Sequence, residues 1–141
     1  MKGEGVKPIM ANKIKAIHHI SLKPAGQEAF KETVRFYRDL LGFPVVREWE
    51  KNGILGIMLS VGESLMEINS DGEETPGPGA INHFAFATDA VDELTERIRR
   101  AGYEITMEPN DRVIVSSPPL PIRIAFCIGP CGEKIELFCE R

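Results

Sequence analysis

The chain has 141 residues, 43% hydrophobic and 27% charged, an ordinary globular composition in a length that suits one domain and buries roughly two thirds of its unfolded surface. Seventeen Lys and Arg stand against 21 Asp and Glu, a formal charge of −4 with no basic run, so the footprint of a nucleic-acid binder is missing. No apolar run reaches the length of a membrane span and residues 1–13 lack the apolar core of a signal peptide, so a cytoplasmic protein with no membrane partner is expected, with a disordered segment over 1–13 ahead of a single domain at 14–141.

In chain order, a strand is predicted over 14–22 and is broken by Lys23-Pro24-Ala25-Gly26. Phe30, Val34, Tyr37 and Leu41 then recur at the spacing of an apolar helical stripe, which Gly42 ends. Strands over 44–50, 54–61 and 64–69 follow, separated by Lys51-Asn52-Gly53 and Gly62-Glu63 as tight turns. Residues 71–79, with two Pro and three Gly, have the composition of a linker. Beyond it come a strand over 81–87, a helix with Thr88 or Asp89 as its cap and Val91, Leu94, Ile98 and Ala101 as its stripe, and Gly102 as its stop. Segments 103–107 and 112–115, then 122–128 and 133–139, supply the last strands. The order is βαβββ twice, a module at about 14–70 and another at about 80–140, and this internal repeat points to an α+β fold.

Each half carries one His and one Glu in matching places: His19 and Glu67 in the first, His83 and Glu136 in the second. Two imidazoles and two carboxylates suit a borderline divalent cation such as Ni, Zn, Co, Mn or Fe, one ion per site. Strand alternation places His19 on the face of Ile17 and Ser21, with Ile20 and Leu22 opposite. Glu67 lies between Met66 and Ile68, His83 precedes Phe84 and Phe86, and Glu136 lies between Ile135 and Leu137. In every case the face away from the candidate ligand is apolar, as a sheet needs when helices cover its outer side and a polar concavity occupies its inner side.

Other residues have plainer readings. His18 falls on the opposite strand face and reads as a hydrogen-bonded structural residue, and Arg97, Arg99 and Arg100 as a solvated helix face. Trp49 and Phe138 suit either a pocket wall or packing. Cys127, Cys131 and Cys139 are odd in number and do not describe a disulfide framework. A zinc site on Cys127 and Cys131 would have loose spacing with a Gly129-Pro130 turn inside it, so reduced thiols in packing roles are expected.

Five blocks carry a resemblance to a known family: Ile17-His18-His19-Ile20-Ser21-Leu22, Phe36-Tyr37-Arg38-Asp39-Leu40-Leu41-Gly42-Phe43, Leu65-Met66-Glu67-Ile68, Asn82-His83-Phe84-Ala85-Phe86 and Lys134-Ile135-Glu136-Leu137. With these the chain resembles the glyoxalase and vicinal oxygen chelate superfamily, and its full His, Glu, His, Glu set looks most like glyoxalase I. It departs from the family's usual pattern in an insertion around 23–27 and in Gly129-Pro130-Cys131-Gly132 where Asp-Pro-Asp-Gly is common.

The resemblance implies a cup-shaped mixed sheet with helices on its outer face, a homodimer, a small-molecule substrate and a divalent metal held by His19, Glu67, His83 and Glu136. It further implies a lyase or isomerase acting through an enediolate on a small carbonyl compound or its thiol adduct, with Glu136 as the leading base and Glu67 as the other candidate. A three-ligand relative, a ring-cleaving dioxygenase or an antibiotic-inactivating thiol transferase, would need only His19, His83 and Glu136. A metal-free protein that sequesters a small molecule in the cup is the third reading.

Overall fold

A computed structural model describes residues 13, 16–74 and 81–141. The elements are β1 (His19–Leu22), α1 (Gly26–Val34) continued by a π-helical turn (Arg35–Leu40), β2 (Val45–Lys51), β3 (Ile54–Val61) and β4 (Ser64–Asn69). Then come β5 (Phe84–Ala87), α2 (Val91–Arg100), β6 (Ile105–Ile114), β7 (Leu120–Ile128) and β8 (Lys134–Glu140). The predicted α+β architecture of two βαβββ modules is what the chain forms, with one four-stranded mixed sheet in each module. Residues 1–12 of the expected N-terminal segment and 75–79 of the expected linker lie outside the described residues.

The strand orders are β1-β4-β3-β2 and β5-β8-β7-β6, the same topology twice. The first strand of each module lies parallel to its last, pairing Ser21 with Glu67 and Ala85 with Glu136. All other pairs are antiparallel. A parallel pairing needs a long crossover, which the helix and two intervening strands supply.

Several boundaries differ from the sequence reading, each for a local reason. β1 and β5 are shorter than the apolar runs suggested, so His19 opens its strand while His83 sits one residue ahead of β5. The pieces predicted at 103–107 and 112–115 join into one ten-residue strand, β6, whose register slips between Ile105 and Met107 and again between Met107 and Asn110, the second slip spanning Pro109, which cannot donate to the ladder. The α2 N-cap is Ala90 and makes no side-chain capping bond; the Thr88 hydroxyl instead accepts the Ala90 N–H at 2.9 Å. Both helical segments stop as predicted, at Gly42 and Gly102, whose φ values of 83° and 96° are open to glycine at little cost.

Alternation sorts every strand into two faces. Ile57, Leu59, Met66 and Ile68 from the first sheet, and Ala125, Cys127, Ile135 and Leu137 from the second, point toward the helices and are buried. With Phe30, Val34, Phe36, Tyr37, Val91 and Ile98 they form one continuous core. The modules therefore share their helix-facing interior: Phe36 meets Tyr103 edge-on at 4.7 Å and Phe43 meets Phe86 at 5.3 Å. Polar links follow the same seam, with the Tyr37 hydroxyl donating to Glu133 at 2.5 Å, Thr33 beside the Cys131 thiol at 3.4 Å and Tyr103 donating to Glu32 at 3.2 Å. The arginines of α2 do form a solvated face, Arg97 pairing with Glu93 and Arg99 with Glu96 and Glu108.

Candidate metal centre

The opposite, helix-free faces carry the four candidate ligands. On the first sheet His19 Nε2 stands 4.0 Å from Glu67 Oε1, and on the second His83 Nε2 stands 3.2 Å from Glu136 Oε1. In both modules the residue just before the histidine holds the other ring nitrogen. His18 Nδ1 lies 2.9 Å from His19 Nδ1, and Asn82 Oδ1 lies 2.7 Å from His83 Nδ1. Because Asn82 Oδ1 can only accept, His83 donates through Nδ1 and presents Nε2 as the free donor atom, the arrangement by which outer partners set the tautomer of a metal-binding imidazole, while His18 holds the His19 ring at the same atom.

The two glutamates differ in surroundings. Glu67 Oε1 accepts a hydrogen bond from Ser21 Oγ at 3.1 Å and its side chain is 24% exposed. The Glu136 side chain is only 10% exposed, and among the described residues His83 is its sole polar partner. Phe126, the register partner of Glu136, meets His83 edge-on at 5.4 Å and carries the Lys134 ammonium 5.0 Å from its ring centre. A nearly buried carboxylate with one partner suits a nearby cation, because an unpaired buried charge is costly.

Both pairs fit a divalent ion. Ligand bonds of about 2.0–2.2 Å place two donor atoms about 3 Å apart at a right angle and about 4 Å apart when nearly opposite. The separations of 3.2 Å and 4.0 Å fall in that range. The chain does not bring the pairs together, however: among the described residues no three His, Cys, Asp or Glu side chains form a metal-binding group. Each pair sits on its own sheet, and the shared core lies on the other side of both sheets.

Cys127 and Cys131 stand apart from these faces. Burial pushes both thiols up to about 11, so at neutral pH they are protonated and not activated as nucleophiles. Their neighbour Glu133, raised above the usual carboxylate range by burial, accepts the Tyr37 hydroxyl and the Cys131 N–H. Its carboxylate fills the space a side chain at Gly129 would take, 2.5 Å from an ideal Cβ there. Trp49 lies over Gly56 on the first inner face, so that a Cβ at Gly56 would run into the indole.

Sequence reasoning passed over Ser21, Asn82 and Phe126 as site residues. Strand alternation from His19 reaches Ser21 directly and adjacency reaches Asn82, whereas Phe126 emerges only from the β7–β8 register. The Tyr37–Glu133 bond, spanning both modules, left no local signal.

Comparison with known proteins agrees with this architecture. Residues 16–136 match the family model described as the Glyoxalase/Bleomycin resistance protein/Dioxygenase superfamily. No match was found among curated proteins. Among solved structures, a glyoxalase family protein from Enterococcus faecalis is 24% identical with a TM-score of 0.65, over 88% of this chain and 97% of that one. Leishmania major glyoxalase I, trypanothione-dependent, is 21% identical with a TM-score of 0.68, over 89% of this chain and 87% of that one. A mutant of the fosfomycin resistance protein FosX from Listeria monocytogenes, complexed with Mn(II) and a dihydroxypropylphosphonic acid, is 20% identical with a TM-score of 0.66, over 88% and 91%. At these identities the structural likeness speaks for the fold. No helix among the described residues is long and apolar enough to cross a membrane.

Proposed function

The chain belongs to the Glyoxalase/Bleomycin resistance protein/Dioxygenase superfamily, and from that premise we propose a metal-dependent lyase or isomerase of glyoxalase I type, acting on a small carbonyl compound or its thiol adduct. The observation that carries this reading is the pair of His–Glu couples at equivalent places of two like sheets, each with separations that suit one divalent ion. His19, Glu67, His83 and Glu136 would together hold that ion, of Ni, Zn, Co, Mn or Fe type, as a mixed nitrogen and oxygen set. When bound, the ion supplies Lewis acidity and orients neighbouring substrate oxygens.

The pairs are separated within one chain, so the site is proposed to close in a homodimer, His19 and Glu67 of one protomer meeting His83 and Glu136 of its partner. Exposed apolar side chains support a covered inner face: Ile17 is 74% exposed and Ile81 83%, each two residues before a candidate histidine. Val45, Val46, Val113, Ile114 and Val115 extend that exposure to the edge strands β2 and β6 and just beyond. Exposed large apolar side chains of this kind suit a contact face.

The proton work falls to the glutamates. Glu136 takes a proton from a hydroxyl-bearing carbon beside a carbonyl; the C–H pair becomes a C=C bond as the carbonyl π pair moves onto its oxygen to give an enediolate, and Glu136 then returns the proton to the former carbonyl carbon while the hydroxyl proton passes to the former carbonyl oxygen. No oxidant is needed and the net change is an isomerisation. Phe126 and Phe138, next to Glu136 on β7 and β8, limit water around that transfer.

The test is the metal content of protein purified without a chelating tag, alongside His19→Ala and Glu67→Ala, with turnover assayed on hemithioacetals. About one metal per site, lost in both variants, supports the four-ligand reading. Metal kept without Glu67 favours a three-ligand enzyme of the same superfamily, for which the Mn(II)-bound FosX relative is the supporting observation. Failure to load any divalent metal leaves a binding protein.

A further inference from the structure

We propose that the Ser21 hydroxyl decides which glutamate remains a ligand and which one moves the proton; this rests on the function proposed above. Ser21 and Ala85 occupy equivalent places, each the register partner of its module's glutamate across a parallel strand pair. Only the first offers a donor: Ser21 Oγ donates to Glu67 Oε1 at 3.1 Å, the same oxygen that faces His19 at 4.0 Å. The methyl of Ala85 donates nothing to Glu136, whose carboxylate has His83 alone as polar partner among the described residues.

The difference has a chemical consequence. An acceptor oxygen held by a hydroxyl is oriented, so Glu67 leaves the ion only by breaking a hydrogen bond as well. Outer partners of this kind typically raise metal affinity about 10–100-fold. Glu136 has no such tether. With the ion and substrate bound, Glu136 would be the carboxylate free to turn toward the acidic carbon, whereas Glu67 would stay held by Ser21. Two ligands identical in type are thereby assigned different duties by one side chain two residues after His19. Ser21 is a positioning residue in this scheme, since it acts through Glu67.

Ser21 and Ala85 are both exposed, so changes there leave the core untouched. The test uses Co(II) alone as probe, titrated into the full-length apoprotein and followed by visible absorption, for wild type, Ser21→Ala, Ser21→Thr and Ala85→Ser. Ser21→Ala is expected to weaken Co(II) binding about tenfold, Ser21→Thr to restore it, and Ala85→Ser to tighten it by tethering the second glutamate. In the loaded protein Ala85→Ser should also lower kcat on a hemithioacetal with KM unchanged. Equal affinity for wild type and Ser21→Ala overturns this inference and leaves the proposed function standing. A wild-type protein that takes up no Co(II) overturns both.

Discussion

The two modules repeat each other on one face and part company on the other. Toward the helices, Met66 and Ile68 of β4 match Ile135 and Leu137 of β8, and all four are buried in one core. On the inner faces Ser21 answers to Ala85, Leu65 to Lys134 and Met58 to Phe126 at corresponding register positions. Only the His–Glu couple is kept in kind, and the side chain beside each histidine keeps its place while changing from His18 to Asn82. The packed side admits few substitutions because volume and apolarity must both be matched. The open side is free to vary away from the His–Glu couples, so a repeated scaffold acquires two unlike inner faces.

The strongest way to break this comparison is to disable one half per chain. His19→Ala with Glu67→Ala, and His83→Ala with Glu136→Ala, should each abolish metal uptake. A one-to-one mixture that is unfolded and refolded together should recover roughly a quarter of the wild-type sites, because half of the dimers pair unlike chains and each of these holds one intact site of two. No recovery would mean that each site draws both couples from a single chain. Next in size, Glu136→Gln should cut turnover about 10²–10⁴-fold with metal retained, whereas Glu67→Gln should show its first effect in metal affinity. Equal behaviour of the two variants, in metal assay and kinetics, would erase the asymmetry.

Smaller effects probe the seam and the walls. Tyr37→Phe leaves Glu133 short of a donor in a buried place and should cost about 1–3 kcal/mol, measured by denaturant unfolding. Gly56→Ala drives a methyl into the Trp49 ring and should cost about 1–3 kcal/mol, unless the indole swings off its seat. The mildest effect is on pH dependence. Burial lifts Glu133 above its unfolded value of 4.5, so the folded chain holds the extra proton. Its contribution is full below that value and is lost as pH rises through the folded value. Asp39, Asp92, Glu108 and Asp111, held low chiefly by arginine hydrogen bonds, act with the opposite sign. Glu133→Gln should therefore flatten only the decline above about pH 4.5, seen as the difference between two stability curves.

The repeat itself was legible because periodicity is local: the stripe of Phe30, Val34 and Tyr37 and the tight turns at Asn52-Gly53 and Gly62-Glu63 need no tertiary information. The four candidate ligands were legible through strand parity. What escaped was long-range. The one-residue register slips of β6 depend on its partner β7, and the distance between the two His–Glu couples depends on how the sheets turn about a common core. The burial of Glu133 had no local signal either, since it follows from Gly129, whose missing side chain makes room.

Trp49 is the chain's only tryptophan, and its seat on Gly56 gives the molecule an uneven optical signature. Its fluorescence reports on the first sheet alone, while far-ultraviolet circular dichroism averages over both. If the continuous core makes the halves a single cooperative unit, the two signals will melt at one temperature. A lag between them would reveal the ancestral joint of the duplication as a line along which the molecule still comes apart.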